Sequence, residues 1–171
     1  MRESGARRQV ISTVNRRAHY IDEGLVMLEI GSTCIAIWRD EPTEFQFGRQ
    51  LVAFRNVIEE HAKKVGFLCI IGETSHPPKE SIRKATMRMF DEHREQVACL
   101  ASVIEGRGFR AAITRSVLSG MTHMFGSREF PAKITDSITH AAQWMANYSD
   151  IGALDVFATT VESYRSLLRR P

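Results

Sequence analysis

The amino-acid sequence predicts an α/β domain built on a mixed sheet, a hairpin followed by parallel strands, with helices packed on it and a further C-terminal helix. Two short apolar runs, residues 25–30 and 34–38, are joined by Gly-Ser-Thr, which is typical of a hairpin. After residue 40, segments with helical periodicity alternate with continuous apolar runs of strand length. This order favours helices that cross over between neighbouring parallel strands.

The first helix has a clear start signal. Thr43 and Gln46 have the spacing of a capping box, and the apolar residues that follow recur at intervals of three and four. These residues are Phe47, Leu51, Phe54, Ile58 and Val65. We therefore predict a long one-sided helix that ends near Gly66.

The remaining strands differ in how deeply they are expected to lie. Residues 67–71 and 97–104 are continuous apolar runs, as expected of parallel strands buried on both faces. Residues 130–134 contain Pro131, which cannot donate to a neighbouring strand, so this strand is predicted at the sheet edge.

Three further helices are predicted between and after these strands. One follows Pro77 and Pro78 and runs to about His93. The next ends at Gly126, and its predicted inner face consists of Phe109, Ala112, Ile113, Val117, Met121 and Met124. Thr135 or Asp136 is the predicted cap of a fourth helix.

Composition is that of one globular domain. The chain has 171 residues with 43% apolar content, which is enough for one substantial core. The three cysteines, Cys34, Cys69 and Cys99, each lie in an apolar run, so we expect buried free thiols in a reducing compartment. With no long apolar run and no secretory leader pattern, we expect a cytoplasmic protein without a membrane span.

Positive charge is concentrated in the first residues. The net charge is +3, and residues 1–20 contain five arginines against one glutamate, which leaves the rest of the chain close to neutral. A specific nucleic-acid interface would instead place lysines and arginines on the body of the domain, so we expect none. The predicted organisation is a basic N-terminal arm (1–20), an α/β domain (21–148) and a C-terminal amphipathic helix (149–171). Val10, Ile11 and Val14 favour a helical arm.

The order of elements from about Leu25 to Ala146 resembles the STAS domains, in particular the SpoIIAA-like (STAS/SEC14-like) bacterial proteins. The strongest local likeness is the stretch FPAKITD at 130–136, followed by AAQWM at 141–145. The resemblance implies a STAS-like sheet and a partner-docking signalling module that pairs with itself or binds a small apolar ligand. Some members are switched by phosphorylation of a serine in an Asp-Ser-Ser-Gly-like motif. This chain lacks that motif, and Ser81 lies closest to the position of that serine.

The predicted functional surface lies where two buried strands end. Glu73, Thr74, Ser75, His76 and Lys79 lie between a strand and a helix, on the sheet edge where α/β folds usually bind ligands.

Two residues after the next strand are predicted to line the other side of the same surface. They are Glu105 and Arg107, which follow residues 97–104. The alternative is that both segments are ordinary turns with no role in binding.

Hydroxyl residues near the start of the second helix are candidate phosphoacceptors. Ser75 and Ser81 are the principal candidates, with Thr74 beside them, because a helix N-terminus favours phosphate. The alternative is a turn rich in hydroxyl groups.

The C-terminal helix needs a partner for its apolar stripe. That stripe consists of Leu154, Phe157, Val161, Tyr164 and Leu168. Either the chain's own domain covers it, or it is a self-association surface of a homo-oligomer.

The leading functional hypothesis is a non-catalytic regulatory or scaffold module that binds a partner protein at the carboxyl edge of the sheet. A binding protein for a small apolar or anionic ligand is the second hypothesis, and an enzyme that uses Glu73, His76 or Glu105 is the third. No histidine has a metal-ligand spacing, and Gly106-Arg107-Gly108 is not a nucleotide fingerprint. We therefore predict neither a metal nor a cofactor.

Overall fold

A computed structural model describes residues 14–126 and 130–168. Most of the predicted basic arm, including Val10 and Ile11, lies outside the described residues.

The described strands form one mixed sheet. They are β1 (Arg16–Ile21), β2 (Leu25–Ile30), β3 (Thr33–Trp38), β4 (Val65–Ile71), β5 (Val97–Ile104) and β6 (Ala132–Thr135). The strands lie side by side in chain order, with β1, β2 and β3 antiparallel and β3 to β6 parallel. The predicted hairpin followed by parallel strands is confirmed, and its turn contains Gly31 at φ 59°.

Helices cover both faces of this sheet. They are α1 (Glu44–Glu60), α2 (Glu80–Glu92), α3 (Phe109–Gly126), α4 (Ile138–Met145) and α5 (Leu154–Leu167). Alternate strand residues such as Met27 and Phe67 pack with α1 and α2 in one core, and their neighbours such as Leu28 and Leu68 pack with α4 and α5 in another. The described chain is therefore a three-layer α/β/α structure.

Strand β1 was not predicted. Residues 16–20, assigned from sequence to a helical or flexible arm, pair with β2 as an edge strand. The segment is polar because it faces solvent over much of its length, so it carries no apolar strand signal.

Two helix boundaries were displaced in the prediction. The capping box of Thr43 and Gln46 is confirmed, but α1 ends at Glu60 because Val65 already belongs to β4. The cap of α4 is Ser137, whose hydroxyl accepts from the His140 N–H at 3.1 Å, and neither Thr135 nor Asp136 has this role.

The predicted inner face of α3 was wrong in part, although Met121 packs against the core as predicted. Ala111 and Thr114 are buried, whereas Phe109 is 81% exposed and Ile113 is 38% exposed. Apolar residues occur on both sides of this helix, so periodicity did not distinguish them. In the structure, α3 packs on β5 and β6 and buries Ala111 and Thr114.

Helix α5 packs on its own domain. Phe157 and Val161 are fully buried, Leu168 is 4% exposed, and Leu154 and Tyr164 pack against the same core. The prediction of a self-association surface from these five residues is therefore corrected, because the sheet face and α4 already cover this stripe.

Candidate functional site

Parallel strands β3, β4 and β5 end at one edge of the sheet, and backbone contacts hold the following loops together. The Gly72 N–H donates to the Trp38 carbonyl at 2.7 Å, and the Glu105 N–H donates to the Ile71 carbonyl at 3.0 Å. A Cβ at Gly72 would lie 2.8 Å from the Arg39 carbonyl oxygen, so only glycine permits this approach.

These loops and α5 enclose a cleft of about 450 Å³, here called the carboxyl-edge cleft. Its lining residues are Ile37, Trp38, Arg39, Asp40, Gly72, Glu73, Thr74, Glu105, Arg165 and Leu168. Predicted site residues Glu73, Thr74 and Glu105 thus come together. A cleft of this volume lies within the usual range of ligand pockets in proteins.

Helix α5 contributes a cation to the cleft. The Arg165 guanidinium contacts the Glu105 carboxylate through Nε, and its Nη1 donates to Glu162 Oε2 at 2.8 Å. Burial disfavours the charged form of Arg165, but the hydrogen bonds that its guanidinium donates to these two carboxylates hold its pKa above the usual value. Arg165 therefore ties the C-terminal helix to the end of β5.

A second ion pair borders the cleft at the end of β3. Arg39 Nε donates to Asp40 Oδ2 at 2.7 Å. The Thr74 hydroxyl lies 2.9 Å from Asp40 Oδ1 and 3.0 Å from the Arg39 carbonyl oxygen. This contact fixes the loop after β4 against the loop after β3.

Glu73 differs from the other charged residues of the cleft. Among the residues that the structure describes, its exposed carboxylate has no hydrogen bond or ion pair. A Cβ at Gly106, which has φ 81°, would lie 2.7 Å from Glu73 Cγ. The turn after β5 therefore packs directly against the Glu73 side chain.

The other predicted site residues lie elsewhere. Ser75 is 4% exposed, and both Ser75 and His76 line a separate apolar cavity between the sheet and helices α1, α2 and α3. Lys79 is exposed, 3.7 Å from Glu41 Oε1. Arg107 is exposed beside the cleft but does not line it, and Ser81 is exposed in the first turn of α2.

Two sequence hypotheses change as a result. Ser75 is too deeply buried to be modified in the folded protein, which leaves Ser81 as the principal candidate phosphoacceptor. The three proposed acid-base residues do not share one site, since Glu73 and Glu105 line the cleft whereas His76 lines the apolar cavity.

A buried carboxylate cluster at the opposite edge of the sheet was not predicted. Glu29 is 1% exposed, and its Oε1 accepts from His61 Nε2 at 2.8 Å. Its Oε2 lies 2.9 Å from His19 Nε2 and 3.0 Å from Arg17 Nη2, which also contacts Glu60 at 2.6 Å. The cluster therefore joins β1, β2 and the end of α1.

The pKa of Glu29 reflects two opposed influences. Burial raises it, but hydrogen bonds from His61 and His19 and the charge of Arg17 lower it more, so the net shift is downward. The signal in the sequence was a single glutamate within the apolar run of β2.

Arg39, Asp40 and Arg165 were also missed. The first two lie in what reads as a polar turn, and Arg165 lies on a helix far along the chain. No local pattern indicates that Arg165 reaches β5.

Comparisons of the chain with protein-family models, with curated proteins and with solved structures found no match. The STAS resemblance therefore stays a prediction from the sequence. Among the described residues, no group of three or more His, Cys, Asp or Glu is arranged to hold a metal ion. In residues 14–126 and 130–168, no helix has the length and apolar character needed to cross a bilayer.

Proposed function

We propose that this protein is a non-catalytic regulatory or scaffold module that binds a partner protein at the carboxyl-edge cleft. The observation that carries the proposal is Glu73, an exposed carboxylate without a partner among the described residues, held in a cleft whose other ions contact one another. Its position is supported on two sides, by the Thr74 contacts and by Gly106.

The charges of the cleft favour a basic partner residue. Arg39 pairs with Asp40, and Arg165 pairs with Glu105 and Glu162. Within each pair the opposite charges partly cancel. The Glu73 carboxylate is therefore the charge that can pair with a lysine or arginine of the partner. Ile37, Trp38 and Leu168 also line the cleft and offer apolar contact to the stem of such a side chain.

The same charges disfavour one alternative from the sequence. Among the lining residues, Asp40, Glu73 and Glu105 outnumber Arg39 and Arg165, so the carboxyl-edge cleft is a poor site for an anionic ligand.

Site-specific photo-crosslinking in the source cells tests the proposal. Glu162 pairs with Arg165, which lines the cleft, and replacing Glu162 with a photoreactive amino acid breaks only an exposed ion pair of small energy. The matched control places the same group at Arg55, which is exposed on α1 on the other face of the sheet. We expect a specific adduct from position 162 and none from position 55.

The captured partner is then purified and its affinity for two variants is measured. Glu73→Lys should weaken binding about tenfold or more, because it replaces attraction with repulsion at the contact. Glu59→Lys, an exposed charge reversal at the far end of α1, should leave the affinity unchanged. Equal crosslinking at both positions, or wild-type affinity of Glu73→Lys, would contradict the proposal.

A further inference from the structure

An open groove lies between helices α2 and α3. It has a volume of about 750 Å³, and it shares none of its described lining residues with the carboxyl-edge cleft. The α3 side of this α2–α3 groove is formed by Ser116, Val117, Gly120 and Met121. Among the described residues, nothing lies within 4 Å of a Cβ at Gly120, so the groove has room there for an incoming side chain.

Half-buried apolar side chains form the floor of the groove. Met87 of α2 and Met121 of α3 line it and also pack against the core beneath. Val117, which is half-buried as well, lies one helical turn before Met121. Methionine is flexible and polarisable, so this floor can adapt to the apolar face of a bound helix.

The charged residues of the groove are mainly basic. Its described cations are Arg83, Lys84 and Arg88, and its carboxylates are Glu80 and Asp91. Lys84 Nζ lies 2.7 Å from Glu80 Oε1 in an exposed ion pair. Neither the Arg83 nor the Arg88 guanidinium has an ion pair or hydrogen bond with a described residue. Since α3 contains no Asp or Glu, these two guanidinium groups are available to carboxylates of a bound molecule.

The length of the groove suits a short helix. Its lining residues on α2 run from Glu80 to Asp91, a distance of about 16 Å at the helical rise of about 1.5 Å per residue. A helix of about three turns lying along the groove turns one face to the floor. Residues that flank this face then lie near Arg83 and Arg88.

The two carboxylates disfavour a nucleic acid or an anionic membrane as the occupant. Glu80 and Asp91 are the first and last lining residues on α2, and each would repel a continuous line of phosphates. An acidic helix can instead place carboxylates near Arg83 and Arg88 and uncharged residues at both ends.

We propose that the α2–α3 groove is a second docking site, which binds an amphipathic acidic helix of a partner protein. The apolar face of that helix packs on the floor of the groove, and its carboxylates pair with Arg83 and Arg88. This site is separate from the carboxyl-edge cleft, so its test does not depend on the function proposed above.

Fluorescence-anisotropy titration of the full chain with two labelled helical peptides of about 15 residues tests this inference. Both peptides carry leucines along one face, which is flanked by glutamates in one peptide and by lysines in the other. We expect saturable binding of the acidic peptide at roughly micromolar concentration and at least about tenfold weaker binding of the basic peptide. Arg88→Glu should weaken binding of the acidic peptide about tenfold, because it replaces attraction with repulsion.

Two helical glycines provide a matched test of where the peptide binds. A Cβ at Gly120, or at Gly48 in the interior of α1, would meet nothing within 4 Å. Glutamate favours a helix more than glycine does, so Gly120→Glu and Gly48→Glu should both keep or raise the midpoint of thermal unfolding. Only Gly120→Glu places a carboxylate in the groove. It should weaken binding of the acidic peptide about tenfold or more, whereas Gly48→Glu should keep the wild-type affinity.

Three results would overturn the proposal. They are absence of saturable binding of the acidic peptide, equal affinity for the acidic and the basic peptide, and wild-type affinity of Gly120→Glu for the acidic peptide. Single-stranded RNA and vesicles of anionic lipid serve as competing probes. Tighter binding of either probe than of the acidic peptide, weakened by Gly120→Glu, would assign the groove to a phosphate ligand and would also overturn the proposal.

Discussion

Nε2 of His61 lies 2.8 Å from Oε1 of Glu29, so the residue that follows α1 is hydrogen-bonded to a buried carboxylate on β2. His19 brings β1 to the same carboxylate. Because Glu29 accepts bonds from both histidines, the cluster stabilises the sheet edge that the sequence did not predict.

Glu29→Gln should lower the free energy of unfolding by about 1–3 kcal/mol at pH 7, since a neutral amide is a poorer acceptor for these donors. The folded-state pKa of Glu29 is lowered, so its contribution is complete above the usual glutamate pKa of about 4.3 and is lost as the pH falls through the folded value. Urea unfolding at neutral and acidic pH should therefore show a difference from wild type that shrinks with acid. The control is Glu59→Gln, at an exposed position. If the free energies of unfolding of Glu29→Gln and wild type differed by the same amount at both pH values, this account would be contradicted.

The two glycines after β5 permit a matched test of how Glu73 is positioned. Gly106 and Gly108 have φ 81° and 87°, and alanine at either should cost about 1–2 kcal/mol in the left-handed region. Only at Gly106 would the new methyl meet Glu73, because nothing lies within 4 Å of a Cβ at Gly108. We expect Gly106→Ala to be the less stable variant in urea unfolding and to weaken partner binding. Equal losses and equal affinities would show that this contact does not position Glu73.

Helix α5 should behave as part of the core. Phe157→Ala should lower the free energy of unfolding by about 3–5 kcal/mol, because it empties a fully buried position between α5 and the sheet. Leu167→Ala, at a position that is 62% exposed, should change it by less than about 0.5 kcal/mol. Unfolding of the wild type and of both variants should be independent of protein concentration. A midpoint that depends on concentration in the wild type and loses that dependence in Phe157→Ala would instead support the self-association surface expected from the sequence.

Substituting glutamate at each candidate phosphoacceptor, Ser75 and Ser81, tests which of the two positions tolerates a negative charge. Ser75→Glu buries an unpaired charge and should lower the free energy of unfolding by at least about 2 kcal/mol. Ser81→Glu lies in the exposed first turn of α2, where a negative charge stabilises a helix by about 0.3–1 kcal/mol. Thermal unfolding of the two variants measures the difference. A tolerated Ser75→Glu would restore Ser75 as a candidate.

Local sequence patterns predicted much of the fold. The hairpin, the buried strand at Val97–Ile104 and the capping box at Thr43 are each encoded within a few consecutive residues. The free cysteines were also predicted, and burial raises the pKa of Cys69 to about 12 and that of Cys99 to about 12. Prediction of the candidate site was partial, since Glu73, Thr74 and Glu105 follow adjacent strands and were expected at one edge.

By itself, then, the sequence determined the order and type of most elements and the edge of the sheet where the candidate cleft lies, because these follow from periodicity and from parallel strands ending together. Tertiary structure alone decided that β1 joins the sheet, that α3 turns Phe109 outward, and that α5 covers the sheet and brings Arg165 to Glu105. These features depend on contacts between residues far apart in the chain. Their energies depend on shape and charge at the contact, which a local pattern does not encode.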